Sequence, residues 1–493
     1  MELFGFCFAL GFGLFWGAFV EGGGGLPSSA DCVEGWLDQP LDHFHNDDDS
    51  NHANGAGTLR FRQRYFYNAS FFDMKNGPIL YYTGNEADVT LYVNATGLMW
   101  ENAKELGALL VWGEHRYYGQ SLPFGTSVWT PKQLRWLTVE QALADHKALV
   151  EHVKRSLGAE NSKVVAMGGS YGGMLSSWIR MKYPDTFDGA IAGSAPILAF
   201  DGAEKASAKH AGTTSYWAIV SNDATSAFGS EANCKNNVQA VWPSIDALAF
   251  NGEFEKLGKL LRMCKTPRAG DMQRLKMFHI MAFDNMAMGN FPFPSSYLTS
   301  GKAKMPAFPF RQACKQLGPF FNDKDALISA MGRAAAVFNN ATQDLPCFDL
   351  PADPEYDGVW DYLWCTLTMP QETYFGRDGV SDMFPPFAYN ETQINEHCMK
   401  KYNVSPAYDS ISQQFFGMEG VKNSSNIVFS NGRFDPWRSG GVTTYNSSSS
   451  SVWSIIIPNG AHHVDLMFNN VNDTADIRNA RSFEIAKIKE WIS

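Results

Sequence analysis

From about residue 60 to residue 200, short apolar runs alternate with longer segments whose apolar positions recur every three or four residues. FRQRYFY (61–67) alternates and predicts a strand. PILYYTG (78–84) and ALLVWGEHRYYG (108–119) start as apolar runs and end in glycine or polar residues, as buried strands do. LTVEQALADHKALVEHVKRSL (137–157) has helical spacing, with Thr138 and Gln141 placed to form a capping box. VVAM (164–167) predicts the next strand. The helix after it carries Met174, Leu175, Trp178 and Ile179 on one face and stops at Pro184, and GAIAGSAP (189–196) reads as another strand. Strands alternating with helices predict an α/β fold with a mostly parallel sheet covered on both faces.

Between 201 and 410 the pattern changes. EKASAKHAGTTSYWAIV, DALAFNGEFEKLGKLLRMC and KDALISAMGRAAAVFNNA each read as a helix, separated by stretches rich in Pro, Gly and Cys. After 420 the strands return as NIVFSNG (426–432) and SVWSIIIPNG (451–460), and ARSFEIAKIKEWI closes the chain as a helix. The predicted organisation is a signal segment or anchor at 1–20, a first α/β part at 33–200, an inserted helical cap at 201–410 and a second α/β part at 411–493. There is no internal repeat, and NSSSSS (446–451) reads as an exposed turn.

The uncharged run from Leu3 to Val20 changes the expected compartment, because it predicts a secretory signal although its n-region carries Glu2 and no cation. Cleavage leaves no later segment long and apolar enough for a membrane span. Sequons at Asn68, Asn94, Asn340, Asn390, Asn403, Asn423, Asn446 and Asn472 agree with that route. So do the cysteines, since Cys234, Cys264, Cys314, Cys347, Cys365 and Cys398 crowd into the helical block with no C-x-x-C spacing, which predicts disulfides instead of zinc. Cys7 lies in the leader. Cys32 is left over, either free or paired between chains as in a homodimer. The formal net charge of −11 and the absence of a Lys/Arg cluster argue against nucleic acid as a partner.

KVVAMGGSYGG (163–173) carries the candidate chemistry. A buried strand breaks into glycines around Ser170 and a helix follows, which is the context of a nucleophile elbow. Such a turn raises the serine Oγ above the sheet and aims the Tyr171 amide and the helix N-terminus at one point, where an oxyanion is stabilised. A hydroxyl needs a base, and the base needs an orienting acid. NIVFSNGRFDPW places Asp435 just past one late strand, and SVWSIIIPNGAHHVDL places His462 and His463 just past the next. The chain order Ser, Asp, His is that of the α/β-hydrolase triad. Spacing does not separate the two histidines.

The stretches WLDQPLDHF, ILYYTGNEADV, GEHRYYGQSLPFG, LTVEQALAD, GGSYGGMLSSWIRMKYP, SDMFPP, NIVFSNGRFDPW and GAHHVDL resemble the serine peptidase family of lysosomal Pro-X carboxypeptidase and dipeptidyl-peptidase II. The resemblance runs from Trp36 to Leu466. It implies an α/β-hydrolase fold with a helical insertion and the triad Ser170, Asp435 and His462. It also implies oxyanion amides from Tyr171 and from the Thr83-Gly84-Asn85-Glu86 loop, with Gly84 and Asn85 as the candidates. Met174, Met369 and Trp437 match positions that line a proline pocket, where compact apolar packing suits the ring. The disulfides it implies are Cys234–Cys314, Cys264–Cys347 and Cys365–Cys398.

The expected activity is therefore a secreted or lysosomal serine exopeptidase that cleaves peptides after proline, without metal or organic cofactor. A Pro-X carboxypeptidase mode is favoured, with Arg438 a candidate cation for the substrate carboxylate. The alternative is release of N-terminal X-Pro dipeptides, for which Glu86 would hold the free amine. An esterase and a non-catalytic binding protein are the other classes that share the scaffold. The acidic NDDD (46–49) has no EF-hand frame. Two departures from relatives stand out: Met467 where an arginine is common, and the charged Arg438 after D-P-W.

Overall fold

Eight strands form one sheet in the order β1-β2-β4-β3-β5-β6-β7-β8. The outer strands β1 (Val33–Pro40) and β2 (Arg60–Asn68) pair antiparallel, and β2 is antiparallel to β4 (Leu109–Gly113). From β4 onward every neighbour is parallel, through β3 (Ile79–Tyr82), β5 (Val164–Gly169), β6 (Gly189–Gly193), β7 (Ile427–Gly432) and β8 (Val452–Ile457). This is an α/β-hydrolase fold. The computed structural model describes residues 25–44, 59–125, 129–200, 215–351, 358–367, 376–387, 390–408 and 410–493. The leader with Cys7, the NDDD segment, most of the first expected cap helix and Met369 lie outside the described residues.

Strands β3 to β7 are buried at every position, so β3 to β6 run continuously apolar instead of alternating, while β7 adds the buried Ser430 and Asn431 at its carboxyl end. One face packs against α2 (Val139–Leu157) and α3 (Tyr171–Lys182), the other against α1 (Gly97–Leu106) and the closing helix. Thr138 caps α2, its hydroxyl accepting from the Gln141 amide at 3.3 Å. The Gln141 side chain does not complete the expected box. It donates to Asp42 and accepts from the His43 amide, tying the segment after β1 to the helix.

Between β6 and β7 the described elements are helical, chiefly α4 (Tyr216–Asp223), α5 (Cys234–Phe250), α6 (Phe254–Leu260), α7 (Met272–Met288), α8 (Pro309–Leu317), α9 (Lys324–Asn339), α10 (Gly358–Leu367) and α11 (Glu391–Tyr402), followed by the short helices Ser410–Phe415 and Gly417–Lys422. DALAFNGEFEKLGKLLRMC, expected as one helix, is split into the end of α5 and α6. Gly252 adopts φ +72° there, a left-handed conformation that ends a helix and redirects the chain. Disulfides join Cys234 to Cys314, Cys264 to Cys347 and Cys365 to Cys398. The first links α5 to α8 and the last α10 to α11. Cys32 is half-buried and unpaired among the described residues, and burial followed by the Asp31 charge pushes its thiol up to about 12. It is therefore a poor nucleophile.

The last helix, α12 (Ala475–Ile492), starts a turn before its apolar repeat and places Ile485, Ile488 and Trp491 against the sheet. No helix among the described residues is long and apolar enough to cross a membrane.

Candidate active site

The carboxyl ends of β3, β5, β6, β7 and β8 lie along one edge of the sheet, and the candidate residues leave from that edge. Ser170 follows β5 directly. It holds φ +59° and ψ −127°, a strained conformation for a residue with a Cβ, and its carbonyl already accepts from the Met174 amide of α3. The Ser170 amide donates to the Gly193 carbonyl at the end of β6, which pins the turn. Close approach explains the glycines: a Cβ on Gly169 would lie 2.5 Å from the His463 ring, and one on Gly172 would lie 2.2 Å from Asn85 Oδ1. The elbow is packed too tightly for any side chain except that of Ser170 and the inward-facing Tyr171.

Asp435 is fully buried at the start of the 3₁₀ turn Pro436–Gly440. One carboxylate oxygen accepts from the Trp437 amide at 3.1 Å, and the other accepts from His462 Nδ1 at 2.8 Å. That second bond fixes the imidazole tautomer, with the proton on Nδ1 and the Nε2 lone pair free to take a proton. The loops after β7 and β8 are laced together, since Arg433 and Phe434 donate to the carbonyls of Ile457 and Gly460.

His463 does different work from its neighbour. Its amide donates to Ser194 Oγ at 2.8 Å, its ring packs over Gly169, and burial, then the His462 charge, holds its pKa well below the ordinary range. It is a neutral spacer between the elbow and the His462 ring, whose centroid lies 4.5 Å away. The two histidines that the sequence left equivalent are thus distinguished by Asp435.

The loop after β3 wraps the other side of the elbow. Thr83 Oγ1 donates to the Gly172 carbonyl at 2.8 Å, and Asn85 Nδ2 donates to the Gly169 carbonyl at 2.7 Å. Tyr82 OH donates to Asn85 Oδ1, so the Asn85 side chain is held from both ends. Gly84 sits at φ +68° with the Gly113 carbonyl 2.5 Å from where a Cβ would be. Its neighbour Glu86 has a buried Oε2 that accepts no hydrogen bond among the described residues. Burial raises the Glu86 pKa, opposed by its own amide, by the His462 charge and by Asn85. Substituting Gly172→Ala forces the Asn85 loop away from Tyr171, and kcat falls by about 10² to 10³, the size of losing one oxyanion donor. Steady-state kinetics beside an unfolding curve separates this from a folding defect.

Several contributors were not singled out in the sequence. His115, within GEHRYYG, gives its Nδ1 proton to the Arg116 carbonyl at 2.7 Å and accepts from Tyr171 OH at Nε2 over 3.0 Å. Burial lowers its pKa to about 4, so it stays a neutral acceptor and anchors the residue whose amide follows Ser170. Arg116 itself is engaged twice by the buried Asp145. From the helical block, the Met288 carbonyl at the end of α7 accepts from the His462 amide at 3.1 Å, and the Met288 sulfur accepts from the Trp437 indole at 3.1 Å. One turn earlier on α7, Asp284 is buried and accepts from Tyr216 OH at 2.6 Å, while the Tyr216 ring meets Trp437 edge-on at 5.3 Å.

Burial raises Asp284 to about 7; the Tyr216 bond opposes this, the Asp435 charge adds to it and His462 opposes it. As pH rises through that value, Asp284 gains a charge beside Asp435 and favours the protonated form of His462. Asp284→Asn removes one ionisation near neutrality from the pH profile of kcat/KM and leaves the rest, a result that stopped-pH kinetics reads directly.

Met174 is buried and Trp437 half-buried in the same apolar cluster, while Met369 lies outside the described residues. Arg438 donates to the Arg433 carbonyl and adds a positive field at the buried Asp223. Met467 belongs to an apolar cluster with Phe434, Val464 and Ile477. The eight sequon asparagines are all exposed or half-buried. Asp361, Cys365 and His397 come together in metal-like fashion, but Cys365 is in a disulfide, which leaves an incomplete donor set.

Comparison with known proteins adds a family. The profile described as "Serine carboxypeptidase S28" matches residues 39–484. Lysosomal Pro-X carboxypeptidase of Bos taurus is 36% identical over 468 residues, covering 93% of this chain and 87% of its own. The Homo sapiens protein of that name is 36% identical over 466 residues, covering 93% and 88%. Prolyl carboxy peptidase like protein 5 of Caenorhabditis elegans is 34% identical over 482 residues, covering 93% and 90%.

Proposed function

This chain belongs to the serine carboxypeptidase S28 family, and on that premise we propose that it is a prolyl-specific serine exopeptidase acting through an acyl-enzyme on Ser170. His462 takes the Ser170 proton at Nε2, Oγ attacks the carbonyl after proline, and the imidazolium returns the proton to the leaving amine. Asp435 orients the ring and balances its charge. The amides of Tyr171 and of Gly84 or Asn85 hold the oxyanion, and water then hydrolyses the ester by the same proton route. The observation that carries this reading is the 2.8 Å bond from His462 Nδ1 to Asp435, on the same sheet edge as a strained Ser170 at the start of a helix.

Met174, Met369 and Trp437 form the proline pocket in this reading, and removal of one C-terminal residue is its first mode. Residues 201–410 act as a cap over a hydrolase body made of 33–200 and 411–493. The unpartnered oxygen of Glu86 favours a second mode, capture of a free amine with release of an X-Pro dipeptide. The enzyme works in the secretory pathway, in lysosomes or outside the cell, on soluble peptides. An N-blocked peptide ending Pro-Phe and a free Lys-Pro amide, digested side by side, test the choice. Cleavage of the first alone establishes the carboxypeptidase mode, cleavage of the second alone the dipeptidyl mode, and cleavage of neither rejects the proposal.

A further inference from the structure

Next to the turn that follows the two histidines lies a buried polar cluster that the mechanism above does not use. It is formed by Ser430 on β7, Asp465 in the turn that follows His463, and Glu484 on α12. Asp465 is 1% exposed and Glu484 0%. The Ser430 hydroxyl donates to Asp465 Oδ2 at 2.6 Å. Asp465 Oδ1 and both Glu484 oxygens accept no N–H or O–H among the described residues. The Glu484 carboxyl interacts with Asp465 and, more weakly, with Ser430.

The cation at hand is already engaged. Arg481, one turn before Glu484, donates to the carbonyls of Asp465 at 3.0 Å and Val464 at 2.9 Å, and pairs with Asp473 and the Asn469 side chain. The other ionisable groups on the packed elements are His462 and His463 on the loop itself and Glu101 on α1, which accepts from the Asn469 amide. None of them neutralises Glu484. Burial and the Asp465 charge outweigh Arg481, which favours a charged Glu484, so the two buried carboxyls do not both ionise.

We infer that Asp465 and Glu484 share one proton, with the Glu484 acid donating to the open oxygen of Asp465, and that this bond is a positioning element for the His462 loop. The acid pair on Asp465 then adds to the other holds on the loop: Met288 on the His462 amide, Ser194 on the His463 amide, and Arg481 on the Val464 and Asp465 carbonyls. Its role in catalysis rests on the reading of His462 as the base.

The sign of the pH effect follows from the direction of the shift. Burial, then the Asp465 charge, raises Glu484 well above its ordinary 4.5. Its contribution to stability is complete below 4.5 and is lost as pH rises through the folded value. Alkali strips the shared proton, sets two charges against each other and loosens the loop.

Glutamine keeps a donor for Asp465 but carries no titrating proton. Glu484→Gln is expected to raise the thermal midpoint relative to wild type at about pH 8.5 and to leave it close to wild type at about pH 5. The alkaline limb of kcat/KM on the N-blocked Pro-Phe peptide is expected to move up by about one pH unit. Midpoints that run parallel across this range overturn the shared proton. Divergent midpoints with superimposed kcat/KM profiles overturn the positioning role alone. The midpoints are measured also in the Ser170→Ala background, so they report the acid pair even if His462 is not the base. If Glu484→Gln does not fold, Asp465→Asn carries the same test, because removing either charge ends the conflict.

Discussion

Ser170→Ala lowers turnover of an N-blocked peptide ending in Pro-Phe by about 10⁶-fold, the scale on which removal of a serine nucleophile acts in triad peptidases. The expected residue of activity comes from bound water attacking a carbonyl that the oxyanion amides still polarise. The side chain lost is one hydroxyl with no partner among the described residues, so stability changes little or rises, because alanine also leaves the φ +59° strain where it was. A fluorophosphonate probe labels the wild type and not the variant. Turnover within tenfold of wild type would sink the acyl-enzyme. Labelling of neither protein would point to a binding protein on a hydrolase scaffold.

Asp435→Asn costs about 10⁴ in kcat, with KM nearly unchanged. The asparagine still fills the fully buried site and still caps the turn by accepting from the Trp437 amide. Its amide nitrogen, however, meets His462 Nδ1 with a donor, which drives the imidazole proton to Nε2. The base then presents a proton to Ser170 where it should accept one. A drop confined to kcat, with an unchanged unfolding midpoint, identifies a tautomer error; a drop shared with stability identifies a lost core contact.

The parts of this molecule legible in the sequence are those where one physical demand dominates. Strands β3 to β6 are buried on both faces and apolar throughout, β7 is apolar up to Ser430, and each gives way to glycine or a polar residue where the loop begins. Asp435 and His462 stand just past such ends, which is why their order along the chain could be read. Strand β1 escaped because VEGWLDQP lies at the sheet edge, half-exposed and interrupted by Gly35 and Pro40. The break in DALAFNGEFEKLGKLLRMC depends on one glycine turning left-handed, which helical spacing across it conceals.

Residues that act only through packing were silent. Asp284, Tyr216 and Met288 sit in ordinary apolar helices, and their meaning arises when α4 and α7 dock against Trp437, 149 residues from Met288 in sequence, and α7 against the more distant His462. Glu484 belongs to a helix that also carries Lys487, Lys489 and Glu490, and its charge reads as one more solvated position. Only the turn after His463 closing over it reveals a carboxyl with nowhere to put a negative charge. Arg481 was masked in the same way, although it grips two carbonyls of the histidine turn.

The bond from the His462 amide to the Met288 carbonyl makes the helical block part of the setting of the imidazole. Trimming the chain to its sheet-bearing halves, to obtain a smaller catalyst, would take away the ledge on which the imidazole rests. The imidazole therefore takes part of its bearing from a helix inserted more than a hundred residues upstream, and a change that tilts the end of that helix is passed to the ring through the His462 peptide.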